Sequence, residues 1–228
     1  MRMASVVLAL GMAAMTSIRP VAAAEPTGHP DSSGWKSLIA PDLSNTVFPA
    51  GVWTVTDGVF TASKDECIWT KEQYGDCVID LEFKNDVGTN SGVFVYCSDI
   101  KNFVPNSVEI QIADDFLTKR AKMSPTSRCG AFFGHQAPTS SAVRKPGEWN
   151  RMTVTCKGPI LSVVLNGKAV NRIDLRRWTS AKKNPDGSDI PPWLSRPWAE
   201  LPTHGHIGLQ GKHHGAPVYF RNLKIKPE

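Results

Sequence analysis

Cys77-Val78-Ile79-Asp80-Leu81-Glu82-Phe83-Lys84 is the stretch that decides the fold. Cys77, Ile79, Leu81 and Phe83 alternate with Val78, Asp80, Glu82 and Lys84. That period of two gives an extended strand one buried face and one wet face. The same pattern repeats outward from it. Residues 53–56 and 59–62 flank Asp57-Gly58, and residues 160–165 and 168–174 flank Asn166-Gly167. Both dipeptides tolerate the positive φ angles of a type I′ turn, so each pair reads as a β-hairpin. Residues 91–97, 107–112, 151–157, 207–210 and 218–225 supply further strands. Helix evidence is thin: 174–180 has room for one turn, and Pro or Gly interrupts almost every longer window. Many short strands between turn signals predict an all-β fold, a β-sandwich of the jelly-roll kind. Segment 178–204, Pro-rich and carrying Trp193 and Trp198, is too long for a plain connection. It is expected to be functional or to pack over the core as a lid.

Arg2, the apolar run 6–14 and Ala22-Ala23-Ala24 have the three parts of a secretory signal. Residues 1–24 are therefore expected to be a signal peptide, 25–34 a flexible leader and 35–228 a single jelly-roll domain. The mature protein is expected to be exported, periplasmic or secreted, with no membrane insertion after signal removal. No later segment approaches the roughly 20 apolar residues of a spanning helix. The formal charge of the whole chain is +5, with 26 Lys and Arg against 21 Asp and Glu; loss of Arg2 and Arg19 leaves +3. The basic residues are scattered, and Arg176-Arg177 and Lys182-Lys183 are the only short clusters, which argues against a nucleic-acid partner. The five cysteines, Cys67, Cys77, Cys97, Cys129 and Cys156, show no metal-ligand spacing. In an oxidising compartment some could pair. Cys67 and Cys77 flank an expected hairpin and could face each other, whereas Cys77 and Cys156 also fall at core-facing positions. Nothing in the pattern makes any of them a nucleophile.

Glu109 and Gln111 lie two apart, so both project from one sheet face, while Val108, Ile110 and Ile112 take the other. A carboxylate beside an amide suits sugar hydroxyls, since the acid accepts and the amide both donates and accepts. Asn90-Ser91-Gly92 adds a polar element that a ligand can approach closely. Retaining glycosidases need two carboxylates across the bond they cleave. Gln111 cannot ionise and position 113 is Ala, so that device is absent. In the run Gly208-Leu209-Gln210-Gly211-Lys212-His213-His214-Gly215, imidazole is the natural base near neutral pH. On an extended strand His213 and His214 would face opposite ways. His204 and His206 are irregularly placed and lack acidic neighbours, so no metal site is expected. Trp193, Trp198 and Tyr96 could stack on sugar rings or pack in the core. Trp149 is expected to plug the core or a sheet edge, and Arg221-Asn222 to pair with an acid such as Asp80 or Glu82.

Asn90-Ser91-Gly92-Val93-Phe94, Glu109-Ile110-Gln111-Ile112, Gly147-Glu148-Trp149-Asn150, Leu165-Asn166-Gly167, Asn184-Pro185-Asp186-Gly187 and Gly208-Leu209-Gln210-Gly211 through Phe220-Arg221-Asn222 occur in that order. Together they resemble the 3-keto-disaccharide hydrolase family. The resemblance implies a concanavalin-like jelly roll of two stacked antiparallel sheets, and exported bacterial proteins acting on sugars oxidised at C3. On that expectation the chain is a hydrolase- or lyase-type enzyme. It cleaves the glycosidic bond of 3-keto-glycosides or 3-keto-disaccharides by C2 proton abstraction, elimination and hydration. His213 is the expected base, with His214 as second candidate, and Lys212 or Gln111 polarises the ketone. Glu109, Gln111 and Asn90, with Gln210 and Trp193, bind a small oligosaccharide or glycoside. No cofactor is expected, and a structural Ca²⁺ stays open. The alternative is a non-catalytic, lectin-like carbohydrate-binding module using the same face. A laminarinase-like glucanase suits the fold but not Gln111 and Ala113.

Overall fold

The structure is a computed structural model that describes residues 28–228; the expected signal peptide lies outside the described residues. Among the described residues thirteen strands run in chain order: β1 Lys36–Ser37, β2 Thr46–Val47, β3 Trp53–Thr56, β4 Val59–Ala62, β5 Ile68–Tyr74, β6 Cys77–Asn85, β7 Asn90–Cys97, β8 Val108–Ala113, β9 Trp149–Lys157, β10 Ile160–Leu165, β11 Lys168–Asp174, β12 Gly205–Leu209 and β13 Val218–Pro227. They form two antiparallel sheets. The larger has the order β11-β10-β9-β6-β13-β4-β3, with β1 also on β13, and the smaller has β2-β5-β12-β7-β8.

β6 behaves as its alternation requires. Cys77, Ile79, Leu81 and Phe83 are buried in the inter-sheet core, where they meet Val93, Ile110, Ile112, Met152, Val154 and Phe220. Burying each such side chain is worth about 1.5–3 kcal/mol, so a one-residue slip of β6 would forfeit several at once. Both hairpins form with left-handed turn residues, Asp57-Gly58 at φ 51° and 73° and Asn166-Gly167 at φ 49° and 81°. The helical turn near 174–180 is a 3₁₀ turn, Leu175–Arg177.

Three expectations change. Cys67 and Cys77 do not face each other across a hairpin, because β5 and β6 belong to different sheets. Cys77 instead stands opposite Cys156 in the core, and Cys67 lies with Trp69, Phe94 and Cys97 on the far side of the small sheet. All five cysteines are buried, and none is disulfide-bonded. Residues 28–34 are laid against the large sheet rather than waving free. The Gly167 N–H donates to His29 Nε2 (2.9 Å), so Nδ1 carries the proton and donates to Thr153 Oγ1 (2.8 Å). Arg151 reaches the Pro30 carbonyl (2.6 Å) and Asp80 Oδ2 (2.8 Å), and Ser32 donates to the same carboxylate. Trp149 plugs neither core nor edge. It lies half-buried on the outer face of the large sheet, with the Arg221 guanidinium 4.0 Å from its ring centre.

Arg221 and Asn222 both bond the Glu82 carboxylate, as their position suggested. Segment 178–204 packs on the core through Ile190, Leu194, Trp198 and Leu201.

Candidate functional site

The outer face of the small sheet, turned away from the core, gathers the polar residues. Gly92 stands opposite Gln111 and Phe94 opposite Glu109 across β7 and β8. Gly208 stands opposite Phe94 from β12, and the Gln210 N–H donates to the Gly92 carbonyl (3.0 Å). Directly opposed residues share a face. Glu109, Gln111, Asn90 and Gln210 therefore line one surface. Beyond β8 the chain adds a further strand-like segment: Gln111 N–H donates to Ala131 (2.9 Å) and Phe133 N–H to Glu109 (3.0 Å). Phe94 and Phe133 thus flank Glu109 on either side.

The Glu109 carboxyl leans over Gly92, where an added Cβ would sit 2.5 Å from Oε1. Only glycine leaves that space. One side of the carboxyl is closed by an aromatic cluster: Phe103 and Ile100, from the β7–β8 connection, cover Trp69 and Phe94, with ring centres 5.3 and 5.0 Å from Phe103. Water is thereby held off, and burial pushes the Glu109 carboxyl up to about 8, with no partner group among the described residues to counter it. At neutral pH it is a protonated acid able to donate. The adjacent Cys67 thiol is pushed well above its ordinary value by burial and then by the charge of Glu109, so it stays an inert thiol.

Gln111 is almost completely buried (1% exposed), and Nε2 donates to Asn90 Oδ1 (2.8 Å) and the Ser91 carbonyl (2.8 Å). Both amide hydrogens are used, so Gln111 has none left to polarise a ketone. What it does is fix Asn90, whose Nδ2 lies 3.3 Å from His214 Nδ1.

Two glycines set the path of the closing run. A side chain on Gly208 would overlap the Trp69 ring, and one on Gly211 would meet the Glu66 carbonyl at 2.7 Å. Residues 211–213 can therefore lie on the 63–66 turn, and the Lys212 N–H donates to the Lys64 carbonyl (3.2 Å). This brings His213 Nδ1 to 2.5 Å from Asp65 Oδ2 and places His213 in register with Asn90. With Nδ1–H held by the carboxylate, Nε2 is left as the basic nitrogen. His213 and His214 do not point opposite ways, because His214 is not extended (φ 60°); their rings lie 3.9 Å apart at 39°. Along β7, Gly92 and Asn90 are two residues apart, roughly 7 Å of backbone, so Glu109 over Gly92 and His213 in register with Asn90 belong to neighbouring stretches of one face.

Lys212 is half-buried on the same turn. Trp193 is 58% exposed on the 178–204 segment, next to Leu194, which packs on Gly134 beside Phe133. Tyr96 and Trp198 are not sugar platforms: Tyr96 is core and donates to the Gly158 carbonyl (2.8 Å), and Trp198 is buried against His135. His206 is occupied by the Thr70 carbonyl (2.7 Å). Among the described residues no three His, Cys, Asp or Glu side chains come together as a metal ligand set. Asp65 escaped sequence reasoning because it lies 148 residues from His213 in an exposed turn. Its only local signal is the charged triplet Lys64-Asp65-Glu66.

The family described as the 3-keto-alpha-glucoside-1,2-lyase-like domain matches residues 28–226. A Parabacteroides distasonis ATCC 8503 protein, named provisionally as a glycosyl hydrolase, is 54% identical, with a TM-score of 0.83 over 85% of this chain and 99% of its own. A second protein from that organism, named in the same way, is 23% identical with a TM-score of 0.66 over 82% of this chain and 89% of its own. The carbohydrate-binding module CBM66 from Bacillus subtilis shares the fold at 9% identity, with a TM-score of 0.50 over 82% and 99%. No curated protein matches the chain.

Proposed function

The chain belongs to the 3-keto-alpha-glucoside-1,2-lyase-like family, and on that premise we propose that it cleaves the glycosidic bond of 3-keto-glycosides by elimination across C1 and C2. A ketone at C3 acidifies the C2 hydrogen. His213, held by Asp65, removes that proton through Nε2. Glu109, protonated at neutral pH, gives its proton to the glycosidic oxygen as the C1–O bond breaks. The product is an enone with a 1,2 double bond, together with the free alcohol. Addition of water across the double bond completes net hydrolysis: the His213 imidazolium returns its proton to C2, and the water that adds at C1 gives a proton to the Glu109 carboxylate. Asn90, fixed by Gln111, with Gln210, binds ring hydroxyls, and the Lys212 ammonium stabilises the enolate oxygen.

The observation that carries this reading is the pairing of two unlike groups on one face. One is a desolvated carboxylic acid with no partner among the described residues, and the other an imidazole oriented by a carboxylate and carried on the strand register next along the face. Environments that separate two titratable groups are how an acid and a base coexist at one pH. The route needs no second carboxylate at Gln111 or Ala113.

The test is release of reducing sugar from 3-keto-trehalose or 3-keto-lactose. His213→Ala is expected to lower kcat about 10²–10⁴-fold. Asp65→Asn is expected to lower kcat with KM little changed, because it misorients the base rather than the substrate. Full turnover by His213→Ala would remove the base assignment. Saturable binding of an unoxidised glycan with no product from the keto sugar would favour a lectin-like module on the same face.

A further inference from the structure

A cavity of about 500 Å³ opens at the side of the sandwich, between residues 124–137 and 177–188. None of its lining residues belongs to the Glu109 site. Its floor holds two buried groups, Trp178 (4% exposed) and His135 (5%). The Trp178 indole N–H donates to Asn184 Oδ1 (2.8 Å), and Asn184 Nδ2 in turn donates to the Gly134 carbonyl (3.3 Å). The Asn184-Pro185-Asp186-Gly187 turn is thus fastened to the wall, and the indole is fixed in place.

His135 differs from the other floor residue in keeping a free atom. Its Nδ1–H donates to the Phe133 carbonyl (2.8 Å), and its ring stacks on Trp198 with centres 3.4 Å apart at 15°. Burial holds the imidazole neutral down to about pH 4. Nε2 is therefore a fixed lone pair lining a cavity, with no partner among the described residues, and it awaits a hydroxyl donor. At the rim, Arg177 brings a guanidinium outside any ion pair among the described residues. Asp186 uses Oδ1 for the Ser188 N–H (2.9 Å) and hydroxyl (2.6 Å) and leaves Oδ2 open.

From this geometry we propose a second ligand site at the side of the sandwich, which binds a neutral sugar ring: a hydroxyl donates to His135 Nε2, others bridge Arg177 and Asp186, and an apolar edge of the ring meets the small exposed edge of Trp178. The indole edge on the floor gives an apolar contact for pyranose C–H groups, and the three polar groups supply two acceptors and one donor set, the pattern a polyol satisfies. One positive and one negative rim group leave no net preference for an anion. The site is independent of the chemistry at Glu109. An enzyme acting on short glycosides would gain a second hold on glycan through it.

The test is titration of ¹⁵N-labelled protein with methyl α-D-glucopyranoside, which lacks the C3 ketone and is not turned over. Trp178 and Trp198 indole N–H signals are expected to shift saturably with a millimolar Kd, and equally in Glu109→Gln. Arg177→Ala, at an exposed rim position, is expected to weaken binding at least about 5-fold with an unchanged melting temperature, the loss of one hydrogen bond of about 1 kcal/mol. The proposal falls if no shift appears up to about 100 mM, well above that Kd. It also falls if Arg177→Ala binds as wild type, or if Glu109→Gln abolishes the shifts. Tighter binding of glucuronate than of the neutral glucoside would overturn the neutral-sugar assignment.

Discussion

Glu109 holds an acid group in a largely desolvated place, and that placement costs stability. Its folded-state value, about 8, lies above the ordinary value of 4.5. Below pH 4.5 the carboxyl is protonated in both folded and unfolded chains and contributes nothing. As pH rises from 4.5 to 8 the unfolded chain ionises and the folded one resists, so native stability is lost across that window. Glu109→Gln keeps the shape and removes the penalty. It is expected to abolish turnover while raising stability at pH 8 by about 2 kcal/mol, discounted for its partial exposure, with no gain at pH 4. Melting curves of both proteins across pH decide this; a variant that is less stable at pH 8 would show that the carboxyl has a partner there. Asp65 makes the complementary point. Nothing around it in sequence marks it as functional, and it acquires a role only because His213 is folded against it.

At the scale of elements, the site is made by what strands leave out. Gly92 and Gly208 are side-chain vacancies opposite Gln111 and Phe94, filled by the Glu109 carboxyl and the Trp69 ring. Gly208→Ala would drive a methyl group into an aromatic ring within a packed cluster. A loss of about 1–3 kcal/mol is expected, read as a lower melting temperature with a changed near-ultraviolet aromatic spectrum. Gly92→Ala would instead displace the Glu109 carboxyl. β6, β10 and β11 were legible in sequence because one face is dry and the other wet. β5 was not. Ile68, Trp69 and Thr70 are all buried, since the 98–106 connection covers the outer face there, and Lys71, Glu72 and Gln73 are all exposed. A strand covered on both sides at one end and bare at the other has no period of two to read. The two histidines were misjudged for a local reason as well: a left-handed His214 breaks the alternation that would have separated them.

For the whole molecule, two histidines held neutral set the acid limb of stability. His135 is lowered to about 4 by burial, and His29 is lowered by burial and then by Arg151. A folded value below 6.5 means the stabilising difference is fully present above pH 6.5 and is lost as pH falls from there toward 4. His135 alone contributes roughly 3 kcal/mol over that range. In Glu109→Gln, where the opposing carboxyl is gone, urea unfolding midpoints are expected to fall steadily from pH 6.5 to pH 4. A flat profile would show that neither histidine is desolvated. Protonation of His29 also breaks its bond from Gly167 beside Arg151, so residues 28–34 should loosen first. Sequence alone determined the all-β sandwich, the two hairpins, the core face of β6 and the placement of Glu109 and Gln111 on one face, because each follows from local alternation and turn geometry. Only the tertiary structure decided that Asp65 meets His213, that Gln111 spends its amide on Asn90, and that burial leaves Glu109 protonated. Those are properties of contacts and exclusion of water between distant segments, and neither is written in any local run of residues.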